Sequence, residues 1–569
     1  MTTERFLSRL RALDVRLWAD GDRLRYSAPA GVVSDDLRAE LARRKADLLG
    51  WLRRVRTDEP PIVPVEQDGP APLSLFQERQ FYLSQMKPGS AADNIYLPPM
   101  WLQGRLDPAL LESCFREIAR RHETLRASFA LIDGEPRQIL DENPRWRIPV
   151  IDLGALPEQR RIAEGQRILA AEIATPFDLA RSPLWRAFLV RVAGDAQVLS
   201  FTIHHIVSDG WSLGLVCREV SELYRAWSEG RASPLRPLAV QYSDFAVWQR
   251  NWLRGPVLER LVSYWREQLT GVPVLRLPTD FDRPPEQTFA GAIEPLEIPR
   301  ATSEEIRTLG HAENAGAFPV LLTALAILLS RASGQDSFAI GTFVANRNRP
   351  ETEELIGFFI NNLALRCDLS GGPSCRQVLA RVRDTTLAAY AHQDLPFEQL
   401  LQELQLPRDP RHTPLFQVMF VFHNFPQIPL ELSGTSTHSW VSPQSGQPTR
   451  ANFDLTLWMW QAGDAFQGYV DFNTDLFSTE TIRRLLAGFR EVLAAVVADP
   501  DRPVADLPAA SVPRRVPSPS DAGEPSRDAG HAASAKIELR ARRERVAARR
   551  AALTPAQRAL LERRLRDGV

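Results

Sequence analysis

The sequence predicts a mixed α/β protein, α+β in its segregation of elements: two lobes, a small αββα unit ahead of them and a basic helical tail behind. Three observations carry this. Residues 73–505 alternate short β-rich runs with amphipathic helical stretches, with a change of pattern near 230–240. Residues 1–54 hold a complete helix–hairpin–helix pattern of their own. Residues 536–569 carry ten Arg and one Lys against three Glu and one Asp.

The divisions follow composition. Residues 1–54 form the first unit, and a polar, Pro-rich stretch over 55–72 reads as a linker. The lobes occupy 73–235 and 236–507. Residues 508–535 shift to Pro, Ser, Ala and Asp and read as a disordered linker. In 536–569, Thr554-Pro555 marks a helix start, Leu560, Leu561 and Leu565 follow, and Gly568 is a stop. Its net charge of +7 is either a solvated basic face or a second docking element.

Within 1–54, Phe6, Leu7, Leu10 and Leu13 predict a short helix. Val15, Leu17, Leu24 and Tyr26 alternate around Asp20-Gly21, a hairpin turn. Ser34 can cap a second helix carrying Leu37, Leu41, Leu48 and Leu49, with Arg38, Arg43, Arg44 and Lys45 beside them. Those basic residues are either a solvated face or a receptor for an acidic peptide. In the lobes, Leu111, Phe115, Ile118, His122 and Leu125 mark one helical face. Phe318 to Leu329 reads as a buried helix, and Val198 to Ile203 and Asp336 to Phe343 read as strands.

Composition excludes several classes. The net charge of −1 favours neither nucleic acid nor an anionic membrane. No apolar run approaches the ~20 residues of a membrane span. Met1-Thr-Thr-Glu-Arg5 lacks the apolar core of a signal peptide, so a cytoplasmic location is expected. Cys114, Cys217, Cys367 and Cys375 form no CxxC pair and read as small buried apolar side chains.

The chemistry-bearing segment is Ile203-His-His-Ile-Val-Ser-Asp-Gly-Trp-Ser212. Two histidines follow a β-rich run, then Asp209-Gly210-Trp211 gives a turn before a helix from Ser212. A strand fixes the backbone and the following loop exposes a side chain, and an imidazole titrates near neutral pH. Neighbouring residues of an extended chain point opposite ways, so only one histidine faces a given site. From residue type alone the pair is structural or catalytic. No further His or Cys stands at zinc-like spacing, so no metal is expected.

This run resembles the His-His-x-x-x-Asp-Gly signature of nonribosomal peptide synthetase condensation domains, relatives of chloramphenicol acetyltransferase. The other family motifs follow in order: Ser74 to Arg79, Arg121 to Arg126 with Phe129, Tyr242 to Gln249, Ile340 to Val344, His392 to Glu398, and Arg408-Asp409 with Pro414 to Val418. Arg16 to Trp18 and Asp22 to Tyr26 resemble the β-hairpin docking domain of the tubulysin-synthetase type.

The resemblance implies two chloramphenicol-acetyltransferase-like lobes in a V, crossed by a tunnel. It implies an acyltransferase forming an amide between a donor acyl thioester and an acceptor aminoacyl thioester. Both would ride on the 4'-phosphopantetheine arms of partner carrier proteins, with no cofactor bound by this chain. Ester formation, use of coenzyme A thioesters, or a non-catalytic recruiting platform are the alternatives. No adenylation or carrier segment is evident after residue 505, so activation is expected elsewhere. Upstream and downstream synthetase subunits are the implied partners, with an acidic C-terminal peptide received at 1–54.

The resemblance places His205 at the catalytic position, as base or as orienting group, with His204 mainly structural. Asp209 is expected in a buried ion pair with Arg283, of Leu277 to Pro284. Gly210 would allow a tight turn or the approach of the pantetheine arm. Trp211 lines the tunnel or packs as a core aromatic. Arg126 and His122 are expected to give structural support, as is His392.

Overall fold

The computed structural model describes residues 60–507 apart from short segments near 67, 87, 145, 406, 424 and 440, together with parts of 1–48. The tail 536–569, the linker 508–535, Ser34, Leu7, Leu13, Leu49 and Arg408 lie outside the described residues.

The strands are, in chain order, β1 (Arg16–Asp20), β2 (Arg23–Ser27), β3 (Ala71–Pro72), β4 (Asn94–Gly104), β5 (Ala127–Ile132), β6 (Glu135–Leu140), β7 (Val150–Asp152), β8 (Trp185–Ala193) and β9 (Ala196–His204). The second half adds β10 (Ala290–Ile298), β11 (Ser337–Val344), β12 (Asn361–Asp368), β13 (Val418–His423), β14 (Thr435–Ser439), β15 (Pro448–Arg450), β16 (Leu455–Ala462) and β17 (Ala465–Asn473).

The small N-terminal unit is built as its alternation predicts. β1 pairs antiparallel with β2, Asp20 opposite Arg23, which leaves a two-residue turn. Leu17 and Leu24 pack on a core of Phe6, Leu10, Val15, Leu37, Leu41 and Leu48. Arg43 and Arg44 both pair with Glu40 on the helix Asp35–Arg43 and its continuation.

Two larger cores follow. The first lobe wraps the sheet β14-β4-β9-β8-β7, with the helices Pro108–Arg121 and Gly210–Ser228 packed together beside it. β9 lies inside this sheet with every residue buried, the polar Gln197, Ser200, Thr202 and His204 as well as the apolar ones. The second lobe has the seven-stranded sheet β12-β11-β13-β16-β17-β10-β15, covered by the helices Ala317–Ser333 and Thr479–Ala498. Phe318 to Leu329 is the buried helix expected, with Pro319 in its first turn.

Two sequence expectations change. The helical face from Leu111 to Leu125 breaks at His122, which caps the helix Pro108–Arg121 in extended geometry; Leu125 sits in the short 3-10 helix Glu123–Arg126. The lobes also share elements. β14, expected in the second lobe, adds to the edge of the first lobe's sheet against β4, and Ile356, Leu430 and Leu432 enter the first lobe's core. Exchanging a strand and three apolar side chains ties the lobes by burial as well as by polar contacts.

Among the described residues no single helix is long and apolar enough to cross a membrane. All four cysteines are buried and free, as their apolar settings predict.

Candidate active site

The two histidines divide as strand geometry requires. His204 ends β9 with its ring inside the first lobe, edge-on to Phe177 at 6.2 Å. Its Nδ1 accepts a hydrogen bond from Ile206 N at 3.1 Å. Burial, with a smaller contribution from His205, lowers its pKa to about 3, so the ring is neutral. His205 opens a 3-10 turn, its backbone N–H bonded to Asp93 O at 2.8 Å. Its ring is partly exposed and stands edge-on to Phe358, a residue of the other lobe, at 4.9 Å.

His205 Nδ1 lies 2.8 Å from the Ser208 carbonyl oxygen. A carbonyl only accepts, so Nδ1 carries the proton and donates it. In the neutral ring Nε2 is then left with its lone pair. An imidazole held this way can accept a proton from an attacking amine or hydroxyl.

The His204 result carries a pH prediction. A histidine whose folded pKa is depressed contributes stability that is complete above its unfolded value of about 6.5 and is lost as pH falls below it. Between about pH 7 and pH 5 the loss is about 2 kcal/mol. Chemical denaturation at both pH values should show it. His204→Asn, which retains an acceptor for Ile206 N, should show a smaller loss.

Asp209 is the junction of the lobes. It caps the helix Gly210–Ser228, accepting from Ser212 N and Ser212 Oγ, each at 2.8 Å. It also accepts from Phe359 N at 3.1 Å. Its ionic partner is Arg347, whose Nη2 lies 3.1 and 3.3 Å from the two carboxylate oxygens. Both side chains are almost wholly buried, Arg347 at 0% and Asp209 at 2% exposure. Burial lowers the Arg347 pKa, and Asp209 opposes that effect. Arg347 Nη1 bonds the Thr352 and Leu355 carbonyls at 2.6 and 2.5 Å, and its guanidinium lies 4.1 Å over the Phe359 ring.

The expected pair with Arg283 is therefore corrected. Arg283 binds Asp454 instead, within the second lobe. Leu277 to Pro284 is held within the second lobe by Asp454, Arg411 and the Leu476 to Thr481 segment, whereas the loop after β11 delivers Arg347 to the lobe junction. A signal for it was in the sequence: Arg347 follows a β-rich motif by three residues, a strand-to-loop setting like that of the histidines.

The remaining residues frame this clamp. Ser212 Oγ, its one hydrogen spent on Asp209, accepts from Arg347 Nη2 at 2.8 Å and from Gly357 N at 3.1 Å. Tyr242, fully buried, donates to Phe358 O at 2.6 Å and lies 2.9 Å from Ser74 Oγ. A Cβ on Gly357 would lie 2.0 Å from the Tyr242 ring, so that loop requires glycine. Trp211 Nε1 donates to Glu353 O at 3.0 Å across the lobes. Gly210 is exposed at the helix start, and its φ is not in the left-handed region, so no tight turn depends on it. Gln77 donates to Ile206 O at 3.1 Å, joining the first motif to the histidine loop.

Arg126 stays within the first lobe, donating to the Ala119 and Asp141 carbonyls. His122 lies 2.9 Å from Glu219 Oε2, and Arg121 donates to Oε1 at 3.1 Å, all three buried. Burial pushes the Glu219 carboxyl up, but these two partners outweigh it and hold it below the usual range. Glu219 escaped the sequence reading. It stands four residues after Leu215 in a buried stripe, where a charge demands a partner. His392 stacks on Tyr264 with centroids 3.7 Å apart, which fits a structural part. Among the described residues no three His, Cys, Asp or Glu side chains gather as a metal site.

Residues 67–512 match the model of the condensation domain family, and residues 4–54 match that of the TubC N-terminal docking domain. Similar curated proteins include linear gramicidin synthase subunits C and D of Brevibacillus parabrevis. They are 43% identical over 449 residues and 44% identical over 452, each match covering 79% of this chain. The chain spans only 6% and 9% of those subunits' length. Among solved structures, the X-domain from teicoplanin biosynthesis aligns with a TM-score of 0.68 at 26% identity, over 79% of this chain and 99% of that one. With its lobes and motifs in that family's arrangement, the chain belongs to the condensation domain family and carries a TubC-type docking domain at its N-terminus.

Proposed function

We propose that this protein joins two carrier-bound acyl units, forming an amide between a donor acyl thioester and an acceptor aminoacyl thioester. The observation that supports this best is the His205 ring: partly exposed at the lobe junction, with Nδ1 committed to Ser208 and Nε2 free of that bond.

In the reaction the acceptor nitrogen attacks the donor carbonyl carbon. A C–N bond forms, the C–S bond breaks, and the amine proton passes to the departing thiolate. His205 Nε2 accepts or orients that proton, which is typically worth ~10²–10⁴ in rate. Holding two tethered substrates in line contributes through proximity. His204 and Asp209 position His205 rather than touch substrate: one anchors the strand end, the other fixes the loop and the helix start. Gly210, exposed and without a side chain, leaves room for a 4'-phosphopantetheine arm, and Trp211 borders that approach. The tunnel, the carrier partners and a cytoplasmic setting belong to this reading.

Intact-mass analysis of two loaded carrier proteins incubated with this protein tests it. Transfer of the donor mass to the acceptor carrier is expected. Transfer only from a coenzyme A thioester, or none, would refute it.

The N-terminal unit is read as the receptor for the acidic C-terminal segment of an upstream subunit. Its exposed helix residues Arg38, Arg43 and Lys45 match such a peptide in charge. Fluorescence anisotropy with acidic C-terminal peptides of partner synthetases should give micromolar affinity that weakens as salt rises. No binding by any of them would leave the docking role without support.

A further inference from the structure

The seven-stranded sheet has a second face that the core does not use. Leu455, Leu457 and Met459 of β16, and Phe466, Val470 and Phe472 of β17, point into the larger core. Strand alternation turns Trp458, Trp460, Tyr469 and Asp471 the other way. There the rings meet. Trp458 lies 6.1 Å from Tyr469, 5.5 Å from His423 and 5.6 Å from Phe343, centroid to centroid. Trp460 lies 6.0 Å from Tyr469. An aromatic row thus crosses four strands.

Tyr96 of β4 acts electrostatically on Tyr469. Tyr96 stands two residues along β4 from Asn94, whose register partner is His204, about 7 Å away along the strand. Phe343, in the same row, stands on β11 four residues before Arg347, whose guanidinium binds Asp209, so the row reaches the lobe junction.

Beside the row stands Asp471. Its Oδ1 is buried and has no hydrogen-bond partner among the described residues. Burial acts on its carboxyl, raising it to about 7. A buried carboxylate oxygen without a partner is unfavourable and gains from a ligand that supplies one. Ring faces attract organic cations, and a carboxylate neutralises them.

We propose that this face is the side-chain subsite for one of the two acyl units, and that it takes a side chain ending in an ammonium or guanidinium group, held by Asp471 against Trp458 and Tyr469. The proposal rests on the condensation reading above and names the substrate class for that site.

The test uses the full chain and two aminoacyl-pantetheine analogues with an amide in place of the thioester, one ornithinyl and one norleucyl. Titration calorimetry should give at least about tenfold tighter binding of the ornithinyl probe. That preference should vanish in Asp471→Leu, a variant expected to melt no lower than the parent because it removes an uncompensated carboxyl. Asp471→Asn, which keeps the shape, should lose the preference too. Carriers loaded with ornithine as donor or as acceptor then tell which unit the subsite serves. Equal binding of both probes by the parent protein, or an unchanged preference in Asp471→Leu, overturns the proposal. Probe discrimination without any transfer between carriers would support the subsite and refute the condensation reading alone.

Discussion

Arg347→Ala is expected to destabilise the protein by about 3–5 kcal/mol, the usual cost of stranding one partner of a buried ion pair. The guanidinium has no solvent exposure, and Asp209 has almost none. Without Arg347, Asp209 keeps the Ser212 and Phe359 donors but no positive charge. The Thr352 and Leu355 carbonyls also lose their donor, which loosens the loop that carries Gly357 to Phe359 against Tyr242. Denaturant unfolding of Arg347→Ala, Asp209→Ala and the double variant checks this. The pair should couple, so that the double variant costs clearly less than the two singles together. The same cycle between Arg283 and Asp209 should be additive, because Arg283 spends its charge on Asp454. A normally melting Arg347→Ala protein would remove the clamp from the account.

The second large effect is on turnover. In the proposed condensation, His205→Ala should lower product formation by about tenfold or more, the low end of what a positioned proton acceptor supplies. It should leave the melting temperature nearly unchanged. The ring is partly exposed, so water can enter where it stood and take its place on the buried Ser208 carbonyl. His204→Ala should show the reverse balance, because it opens a cavity and removes the acceptor for Ile206 N. Measuring both variants by intact-mass transfer and by thermal melting separates the two roles. Near-normal transfer by His205→Ala would sink the catalytic assignment.

Much of the fold was legible because its signals are local. The hairpin of β1 and β2 shows in alternation over twelve residues, and the helix Ala317–Ser333 shows in a continuous apolar run with proline at its start. The exchange of β14 between lobes was not legible. A short strand of Thr and Ser carries no mark of which sheet edge it will join, and edge pairing is set by backbone groups common to all residues.

For the site, the sequence by itself singled out His205 as the candidate reactive group. A β-rich run, two histidines and a helix-capping Asp-Gly lie within the thirteen residues 198–210, so chain geometry alone sends His204 inward and leaves His205 at the loop. Only the tertiary structure decided what holds that loop in place. Arg347 is 138 residues from Asp209, and Arg283 carries the same charge in an equally plausible setting. A buried charge announces that it needs a partner but not which one, because ion pairing acts through space and leaves no spacing rule along the chain. The same holds for Asp471: alternation predicts its face, but only the packed structure shows that its buried Oδ1 has no hydrogen-bond partner among the described residues.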